Sequence, residues 1–405
     1  MSDRIVVVGA GHAAGQLVAR LRAEKLTQEV VVIGDEPALP YQRPPLSKDY
    51  LAGDIGLDRV LMRAQKFYDD NNILVRSEER VTAVDRAAKQ VTLASGDVLD
   101  YGHLVLATGT RARTLDLPGA GLDGIFCLRS LADADAIGAA LKTVSNVVVV
   151  GGGYIGLEVA AVARKAGATV TVLEAMDRLL ARTTSETMAS RVAEIHTEHG
   201  VQLRYQTAVT GFVGDAAVSG VTLGDGSEVP ADLVVLGVGV LPNQELAQEA
   251  GLDVNDGIVV DARGATADPS IWAVGDCTRH PSRLYGREVR LESVHNAMSQ
   301  SKIVAANIAG KAQDYDEVPW FWTDQFDFKL QSVGIPDDID ETIVRGSPAD
   351  NAFTVFLLRN GCVIAAESMN AMRDHMECRK LAGAQTAVDT GKLADPGVPL
   401  KEVAL

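Results

Sequence analysis

The feature that most constrains the fold is a short apolar run that leads into a glycine-rich turn and then into a helical pattern. It occurs twice: the first copy begins at Ile5 and turns at Gly9, and the second begins at Val147 and turns at Gly151. Another β-branched apolar run follows each helical pattern, so each copy predicts a β-α-β unit. Two parallel sheets with helices packed on them are therefore expected.

A second repeat supports this pairing of two halves. In each half a Thr-Leu-x-x-Gly hairpin precedes a Val-Leu-x-x-Gly segment, which ends at Gly109 in the first half and at Gly239 in the second. Two copies are too few for a solenoid and indicate two dinucleotide-binding domains of common design. From Pro319 the chain becomes rich in aromatic residues and alternates like antiparallel strand. The predicted fold class is α/β, with two Rossmann-like domains and a smaller C-terminal α+β domain.

A glycine-rich turn between a strand and a helix suits a pyrophosphate. The first glycine permits the turn, the second admits the ligand close to the backbone, and the third lets the helix pack on the strand. The helix N-terminus adds unpaired N–H groups. One such loop also arises for structural reasons alone, so two in the correct context carry more weight. The predicted loop residues are Gly9, Gly11, His12, Ala13 and Ala14 in the first copy, and Gly151, Gly153, Tyr154, Ile155 and Gly156 in the second.

An acidic residue after the second strand of such a unit binds a ribose hydroxyl. The candidates are Asp35 and Glu36 in the first unit and Glu174 in the second, although solvated loop carboxylates remain the alternative. A carboxylate at Glu174 would repel a 2′-phosphate, which favours NADH over NADPH, while Arg178 and Arg182 nearby leave that choice open. Two dinucleotide sites in one chain suggest FAD held as a prosthetic group and a nicotinamide dinucleotide that exchanges.

Composition excludes several other classes of protein. A net charge of −16 at pH 7 disfavours nucleic acid and anionic membranes as partners. The four cysteines, Cys127, Cys277, Cys362 and Cys378, lie far apart, which excludes a disulfide scaffold, a zinc ribbon and a dithiol motif, and we expect no metal site. The N-terminal residues do not resemble a signal peptide and the longest apolar tract is interrupted by glycines and a glutamate, so a soluble cytoplasmic protein is expected.

Over essentially its full length the chain resembles the FAD-dependent pyridine-nucleotide reductases of the glutathione-reductase-like fold, most closely the NADH:ferredoxin reductases of the putidaredoxin-reductase type. The motifs that carry the resemblance occur in the family's order and spacing. They are Gly9 to Ala14, Pro40 to Lys48, Leu106 to Gly109, Gly151 to Glu158, Thr266 through Asp276, and Pro319 to Gln325.

The resemblance implies that the second dinucleotide domain is inserted into the first. The FAD domain would comprise residues 1–112 and 241–318, the NAD domain 113–240, and the C-terminal domain 319–405, which would close over the flavin. Besides the first glycine loop, the residues implied to touch FAD are Asp35, Glu36, Arg43, Lys48, Val81, Ala107, Thr108, Gly109, Arg129, Gly275, Asp276, Val294 and Trp322. Gly239 joins the second glycine loop and Glu174 at the NAD site.

Three of these residues are predicted to act in the chemistry. Lys48 would stabilise negative charge on the reduced flavin, Glu158 would face the flavin and nicotinamide, and Trp322 would contact the flavin edge. The alternatives are a solvated Arg43–Lys48 pair, a helix-dipole role for Glu158, and a core aromatic at position 322. Asp276 would bind the ribityl chain, Arg129 the diphosphate, and Tyr154 and Ile155 would gate the nicotinamide.

The expected reaction is hydride transfer from NADH to FAD, followed by two one-electron transfers to a two-iron two-sulfur ferredoxin that supplies a haem monooxygenase or a ring-hydroxylating dioxygenase. Disulfide reductases and thiol peroxidases of this fold need cysteine after the first β-α-β unit, and residues 39–51 contain none, so electrons would leave from the flavin. The alternatives are a flavin NADH oxidase and a redox-sensing flavoprotein of the apoptosis-inducing type.

An acidic ferredoxin would need a basic surface on this acidic chain. Between positions 279 and 290 there are four arginines and one glutamate. The predicted docking patch comprises Arg63, Arg279, Arg283, Arg287, Arg290, Lys302 and Lys329, with a solvated arginine-rich loop as the alternative.

Overall fold

The computed structural model describes residues 3–405, which divide into two compact units. The first unit contains residues up to Arg43, Gly56–Arg111 and Val240–Glu317. The second contains Pro44–Ile55, Ala112–Gly239 and Val318–Leu405. None of the helices within residues 3–405 combines the length and the apolar character needed to span a bilayer.

A five-stranded parallel sheet forms the centre of the first unit. Its apolar β-branched strands are buried on both faces, with helices on one face and antiparallel strands from residues 81–100 on the other. Helix His12–Ala23 packs against helix Val294–Ile308 over this sheet, and the Ser301 hydroxyl donates to the Ala13 carbonyl at 2.9 Å. In spatial order the strands are Ile271–Ala273, His103–Leu106, Ile5–Val8, Val30–Ile33 and Ile73–Arg76.

Smaller elements complete the first unit. Its remaining helices are Leu57–Val60, Gln65–Asp70 and Glu245–Glu249. One antiparallel sheet comprises Val81–Asp85, Gln90–Leu93 and Val98–Asp100, another group comprises Ile258–Val259, Thr278–Ser282 and Arg287–Val289, and a two-stranded pair comprises Thr110–Ala112 and Val240–Pro242.

The second unit repeats this plan, as the repeated sequence pattern predicts. Its helices are Leu131–Ala140, which begins with a capping box between Ser130 and Asp133, Tyr154–Lys165 and Glu186–Glu198. A meander of Val209–Gly214, Val218–Leu223 and Glu228–Pro230 occupies the place of the hairpins in the first unit. The parallel strands, in spatial order, are Gln202–Arg204, Thr169–Leu173, Asn146–Val150, Leu233–Leu236 and Ile125–Cys127.

The C-terminal region adds a five-stranded antiparallel sheet to the second unit. One face packs on helix His375–Gly383, while apolar residues of the other face share a core with helix Tyr154–Lys165. The strands in spatial order are Trp320–Gln325, Phe328–Val333, Cys362–Met369, Ala352–Arg359 and Glu341–Ser347; helix Thr390–Ala394 and the 3₁₀ turns Pro348–Asp350 and Leu400–Glu402 complete it. This α/β architecture, with parallel sheets and a C-terminal antiparallel sheet, confirms the predicted fold class.

The segment Pro44–Ile55 differs from the domain division expected from sequence, which places all of 1–112 in one domain. It forms the 3₁₀ turn Pro44–Ser47 and helix Asp49–Ala52, and it packs within the second unit. Leu51 lies in the same core cluster as Ile137, and the Tyr50 hydroxyl donates to Asp135 at 2.8 Å. Lys48 therefore belongs to the second unit.

Candidate active site

The first glycine loop makes a backbone contact that only glycine allows. Gly9 follows strand Ile5–Val8 with φ +106°, and a Cβ there would lie 2.2 Å from the Ala107 carbonyl oxygen. Gly11 then caps helix His12–Ala23 in extended conformation without a side-chain cap, so the helix N-terminus remains open to an anion. The predicted residues Ala13 and Ala14 lie buried in its first turn.

His12 and Arg43 give this helix end the polar groups that a diphosphate needs. Within residues 3–405, His12 Nδ1 is buried without a hydrogen-bond partner. Burial, reinforced by the Arg43 guanidinium, lowers the pKa of His12 to about 4, so its ring is neutral at pH 7. The guanidinium lies beside Gly11, 3.9 Å from where a Cβ would stand. The open backbone, the orphaned nitrogen and the cation together fit the diphosphate of FAD.

The two acidic candidates of the first unit have different surroundings. Asp35 is exposed and pairs with Arg80 at 2.7 Å. Glu36 is half-buried and accepts from the Tyr41 hydroxyl at 2.6 Å and from Arg43 at 2.8 Å. Arg43 therefore connects Glu36, rather than Asp35, to the glycine loop.

Other predicted FAD residues of the first unit gather around this loop. Ala107 donates its N–H to the Val8 carbonyl at 2.8 Å. A Cβ on Gly275 would lie 3.1 Å from the Ala13 Cβ, and the Gly275 N–H donates to the Gln300 amide oxygen at 2.7 Å. The remaining predicted residues are more widely distributed. The Thr108 hydroxyl donates to the Asn243 carbonyl at 2.6 Å, and Gly109 follows it with a positive φ. Asp276 follows Gly275, Val81 lies in the core beneath the sheet, and Val294 is the first residue of a helix.

The second glycine loop has the same geometry as the first. Gly151 has φ +106°, and a Cβ there would lie 2.5 Å from the Gly237 carbonyl oxygen. A Cβ on Gly156 would lie 2.4 Å from the Gly151 carbonyl, while Gly153 caps helix Tyr154–Lys165. Close packing therefore requires glycine at Gly151 and Gly156, whereas a Cβ on Gly153 would lie 3.9 Å from the Gly237 carbonyl oxygen, an ordinary contact.

Glu174 lies directly against this loop. Its two carboxylate oxygens accept from the N–H of Gly152 at 2.6 Å and the N–H of Met176 at 2.7 Å. Gly239 has φ +100°, and Arg182 lies 3.9 Å from where its Cβ would stand. A carboxylate held in the mouth of the loop fits a ribose diol and disfavours a phosphate there.

The gate predicted at Tyr154 and Ile155 has one anchored member and one exposed member. The Tyr154 hydroxyl is hydrogen-bonded to Thr184 at 3.1 Å, and its ring packs on Phe321 with centroids 4.5 Å apart. Burial raises the pKa of Tyr154, so its hydroxyl stays protonated. Ile155 is 45% exposed at the start of the helix.

Glu158 is the centre of a buried ionic cluster in the second unit. Its side chain is 2% exposed, and Lys48 Nζ lies 2.6 Å from Oε1. The Thr323 hydroxyl donates to the same oxygen at 2.5 Å, and the Ser47 hydroxyl donates to Oε2. A buried charge requires such partners, so the helix-dipole role alone does not account for Glu158.

Sequence reasoning predicts Lys48 and Glu158 but misses Ser47, Thr323 and Phe321. Alternation along strand Trp320–Gln325 is the signal that finds Phe321 and Thr323, because side chains two apart share a face, whereas Ser47 lies in the 3₁₀ turn Pro44–Ser47. Phe321 and Thr323 face Tyr154 and Glu158, whereas Trp322 packs beside Trp320 with centroids 5.3 Å apart. Trp322 therefore lies on the opposite face of the strand from the ionic cluster.

Arg129 follows strand Ile125–Cys127 in the second unit. Its backbone N–H donates to Asp133 at 3.0 Å, at the start of helix Leu131–Ala140. The structure thus places three residues predicted at FAD, namely Lys48, Arg129 and Trp322, in the second unit, and the others in the first.

The cysteines are not arranged for thiol chemistry. Cys277 is fully buried, its Sγ donates to the Val274 carbonyl at 3.4 Å, and burial raises its pKa. Burial also raises the pKa of Cys378, to about 12, and that of Cys127. These thiols stay protonated at pH 7 and are poor nucleophiles.

Most of the predicted docking cations are paired with acidic residues. Arg279 pairs with Glu288 at 3.1 Å, and Arg290 pairs with Asp256 at 3.2 Å and with Glu292. Two more cations have acidic neighbours: Arg283 is 81% exposed with Asp316 3.6 Å away, and Lys329, in the second unit, pairs with Asp324 at 3.2 Å. Arg63 lies over the Phe67 ring. Arg287 belongs to strand Arg287–Val289, and Lys302 belongs to helix Val294–Ile308. Paired in this way, the segment is less positive than the sequence count indicates.

Comparison with known proteins bears on this geometry. Residues 3–301 match the family described as pyridine nucleotide-disulphide oxidoreductase, and residues 320–404 match the family described as reductase C-terminal. The chain is 44% identical over 402 residues to the anthranilate 1,2-dioxygenase system ferredoxin–NAD(+) reductase component of Burkholderia cepacia, covering 99% of both chains.

Two solved structures are also similar. The ferredoxin reductase for the CYP199A2 system from Rhodopseudomonas palustris superposes with a TM-score of 0.97 at 41% identity, covering all of both chains. The covalent putidaredoxin reductase–putidaredoxin complex gives a TM-score of 0.96 at 41% identity, covering 99% of this chain and 97% of that chain.

Proposed function

Because the chain belongs to the pyridine nucleotide-disulphide oxidoreductase family, we propose that it is a flavoprotein reductase that takes hydride from NADH onto FAD and passes electrons singly to a two-iron two-sulfur ferredoxin. The ferredoxin would supply a haem monooxygenase or a ring-hydroxylating dioxygenase. The whole-length similarity to a ferredoxin–NAD(+) reductase component of a dioxygenase system supports this proposal.

One observation carries the proposal: two glycine loops of the same close-packed geometry occur in one chain, and residues 39–51 lack the cysteine that a thiol-based exit of electrons would need. A Cβ at Gly9 or at Gly151 would collide with backbone, so both loops are built to leave a helix end open to a ligand. Residues 39–51 contain no cysteine, and the buried Cys277 stays protonated. Electron exit through sulfur is therefore disfavoured.

We propose that the domains expected from the sequence divide the work of the enzyme between them. Residues 1–112 and 241–318 would hold FAD, residues 113–240 would bind NADH, and residues 319–405 would form the C-terminal domain. Bound FAD would accept two electrons at once and release them one at a time. His12, Arg43 and the N-terminus of helix His12–Ala23 would bind its diphosphate, with Glu36 the better placed of the two acidic candidates for the adenosine ribose.

The Lys48–Glu158 pair would act where hydride is transferred. Lys48 is a partly buried cation held by one carboxylate oxygen, and we infer that it stabilises negative charge on the reduced flavin. The buried Glu158 carboxylate would keep that cation in position. Trp322, which packs beside Trp320, is proposed to contact the flavin edge.

Glu174 would select the donor. Its carboxylate is anchored on the N–H groups of Gly152 and Met176, where it accepts from a ribose diol and repels a 2′-phosphate. NADH is therefore the proposed cosubstrate. A cytoplasmic location, where NADH and reduced ferredoxin occur together, remains part of the proposal.

The test is spectroscopic and kinetic. The purified protein should show the absorption bands of oxidised flavin, and NADH should bleach them anaerobically. Adding ferredoxin with cytochrome c should then give rapid haem reduction that exceeds the rate of oxygen consumption. Colourless protein that FAD does not reconstitute contradicts the cofactor assignment, and oxygen as the preferred acceptor contradicts the ferredoxin assignment in favour of an NADH oxidase.

A further inference from the structure

A buried row of polar side chains leads away from Glu158 across the C-terminal sheet to another helix. Thr323 donates to Glu158, the Gln325 amide nitrogen donates to the Thr323 hydroxyl oxygen at 3.1 Å, and the Gln325 amide oxygen lies 2.8 Å from His196 Nε2. All four side chains are buried, and His196 is 0% exposed. The row connects three elements of the second unit: helix Tyr154–Lys165, strand Trp320–Gln325 and helix Glu186–Glu198.

The chemistry of the carboxylate fixes the direction of every bond in this row. An ionised carboxylate only accepts, so the Thr323 hydroxyl must donate to Glu158. The Thr323 oxygen then accepts from the Gln325 amide nitrogen, which turns the Gln325 oxygen toward His196. His196 must therefore donate from Nε2.

The state of His196 agrees with this direction. Burial lowers its pKa to about 4, so the ring is neutral and carries one N–H. Within residues 3–405, His196 Nδ1 has no hydrogen-bond partner, as expected if the only N–H of the ring is on Nε2. Three successive donors thus point toward one buried charge, and such chains strengthen one another in a low-dielectric interior.

The row ends on the oxygen that also holds Lys48. Oε1 of Glu158 receives both Thr323 and Lys48, while Oε2 is occupied by Ser47. With both oxygens engaged, the carboxylate cannot rotate without losing a bond. We propose that Thr323 and Gln325 are positioning residues that orient the Glu158 carboxylate toward Lys48, and that His196 fixes the orientation of Gln325.

This inference rests on the proposed function for its kinetic consequence, and the test uses the holoenzyme. Thr323→Val removes the donor at constant shape, and Thr323→Ser restores it. Thr354→Val is the matched control, because Thr354 is buried in the same sheet but bonds only to Ser368, at 3.0 Å. The measurement is the rate of flavin reduction by NADH in stopped flow, as a function of NADH concentration and of pH.

Thr323→Val should lower the limiting rate about tenfold with little change in the apparent NADH dissociation constant, the fold-change expected when a charged group loses one hydrogen bond. Thr323→Ser and Thr354→Val should show the limiting rate and the apparent NADH dissociation constant of the wild type. If Glu158→Gln slows flavin reduction, wild-type behaviour in Thr323→Val overturns the proposal.

The row of hydrogen bonds also predicts that the effects of substitutions at Thr323 and Gln325 are not additive. Gln325→Leu should lower the limiting rate as Thr323→Val does, and in the Thr323→Val background it should add nothing, because its effect passes through the Thr323 oxygen. Equal and additive losses of rate in both backgrounds would overturn the proposal.

Unfolding measurements separate this proposal from the proposed function. Thr323→Val should lower the midpoint of chemical unfolding more in the wild type than in a Glu158→Leu background, where no carboxylate needs the donor. If that coupling is present but Glu158→Gln leaves flavin reduction unchanged, the positioning holds and the catalytic role of Glu158 fails. If Glu158→Gln slows reduction but no coupling is found, the positioning fails.

Discussion

At the scale of single residues, Glu174 is the group on which the proposed preference for NADH over NADPH depends. Its position against the second glycine loop results from two backbone donors, Gly152 and Met176, and not from another side chain. These two hydrogen bonds hold the carboxylate against the loop.

Glu174→Gln should test this assignment. The amide retains an acceptor for Gly152 but loses the charge, so the KM for NADH should rise about tenfold, or ~1.4 kcal/mol, with kcat little changed. The KM for NADPH should rise less or fall, because the repulsion of a 2′-phosphate is relieved. Steady-state kinetics with both donors and ferricyanide as acceptor give the ratio; an unchanged ratio contradicts the role of Glu174.

Glu367 is a second buried carboxyl group that the proposed reaction does not use. It lies in strand Cys362–Met369 and accepts from the backbone N–H of Ser185 at 2.9 Å and from its hydroxyl at 2.5 Å, at the start of helix Glu186–Glu198. Burial raises the pKa of Glu367 from 4.5 to about 7, against the opposing effect of the Ser185 hydrogen bonds. Between those pH values the folded protein holds a proton that the unfolded chain has released.

The free energy of unfolding should therefore fall as the pH rises through this window. Glu367→Gln removes the titration, so the variant and the wild type should be similar in stability at pH 5, and the variant should be more stable by roughly 3 kcal/mol at pH 8. Urea unfolding of both proteins at the two pH values measures the difference. Glu341→Gln, an exposed change in the same sheet, serves as the control, and a pH-independent difference for Glu367→Gln would count against the assignment.

At the scale of elements, the strand–turn–helix unit is the part of the fold least tolerant of change. Its turn needs a positive φ and leaves no room for a side chain, so two separate penalties coincide at Gly9. Gly96 has only the first of these two penalties. It has φ +92° in a hairpin of the same unit, but nothing lies within 4 Å of where a Cβ would stand.

Gly9→Ala should lose most of its FAD and fold poorly, because a Cβ would lie 2.2 Å from the Ala107 carbonyl oxygen. Gly96→Ala should retain FAD and lose only about 1 kcal/mol through backbone strain. The flavin-to-protein absorbance ratio and the thermal unfolding midpoint measure both effects. Equal FAD content in the two variants would falsify the close-approach argument.

The C-terminal sheet shows how one element serves two environments. Alternation along strand Trp320–Gln325 sends Phe321, Thr323 and Gln325 to the face that meets Tyr154, Glu158 and His196. The other face carries Trp320 and Trp322, and Trp320 packs on His375. A shift of one residue in register would place aromatic rings on the buried carboxylate, so the strand pairing itself protects the ionic cluster.

At the scale of the whole molecule, the distribution of charge bears on the proposed docking of an acidic ferredoxin. The chain carries a net charge of −16, and ion pairs neutralise much of the arginine-rich segment. Arg283 is the most exposed of the predicted docking cations for which the structure shows an ion pair, with its acidic neighbour 3.6 Å away. An acidic ferredoxin would be attracted by such a local patch against the overall field.

Arg283→Glu should slow cytochrome c reduction through ferredoxin at low ionic strength, about tenfold in the apparent second-order rate constant, while ferricyanide reduction by NADH stays unchanged. The difference should shrink as salt is added, since exposed charges are screened. Lys142→Glu makes the same charge change at an exposed site outside the predicted patch. Equal effects of the two variants would show that only net charge matters.

The sequence alone determined the local features of this protein. Glycines at fixed offsets after β-branched runs predict both strand–turn–helix units, because no other residue satisfies positive φ and backbone approach together. Alternation predicts the antiparallel C-terminal sheet, and the lack of cysteine in residues 39–51 excludes a dithiol there. Each of these is a property of a few consecutive residues, which is why it can be read before folding.

Only the tertiary structure decided what surrounds Glu158. Ser47 and Thr323 are separated from it by more than a hundred positions along the chain, and their places in the motifs Pro40 to Lys48 and Pro319 to Gln325 do not indicate that they supply two of its three donors. The same holds for the segment Pro44–Ile55, which joins the second unit through Leu51, and for Asp256, which pairs with Arg290. Such partnerships depend on which distant surfaces pack together to bury apolar area, and local sequence patterns do not encode that choice.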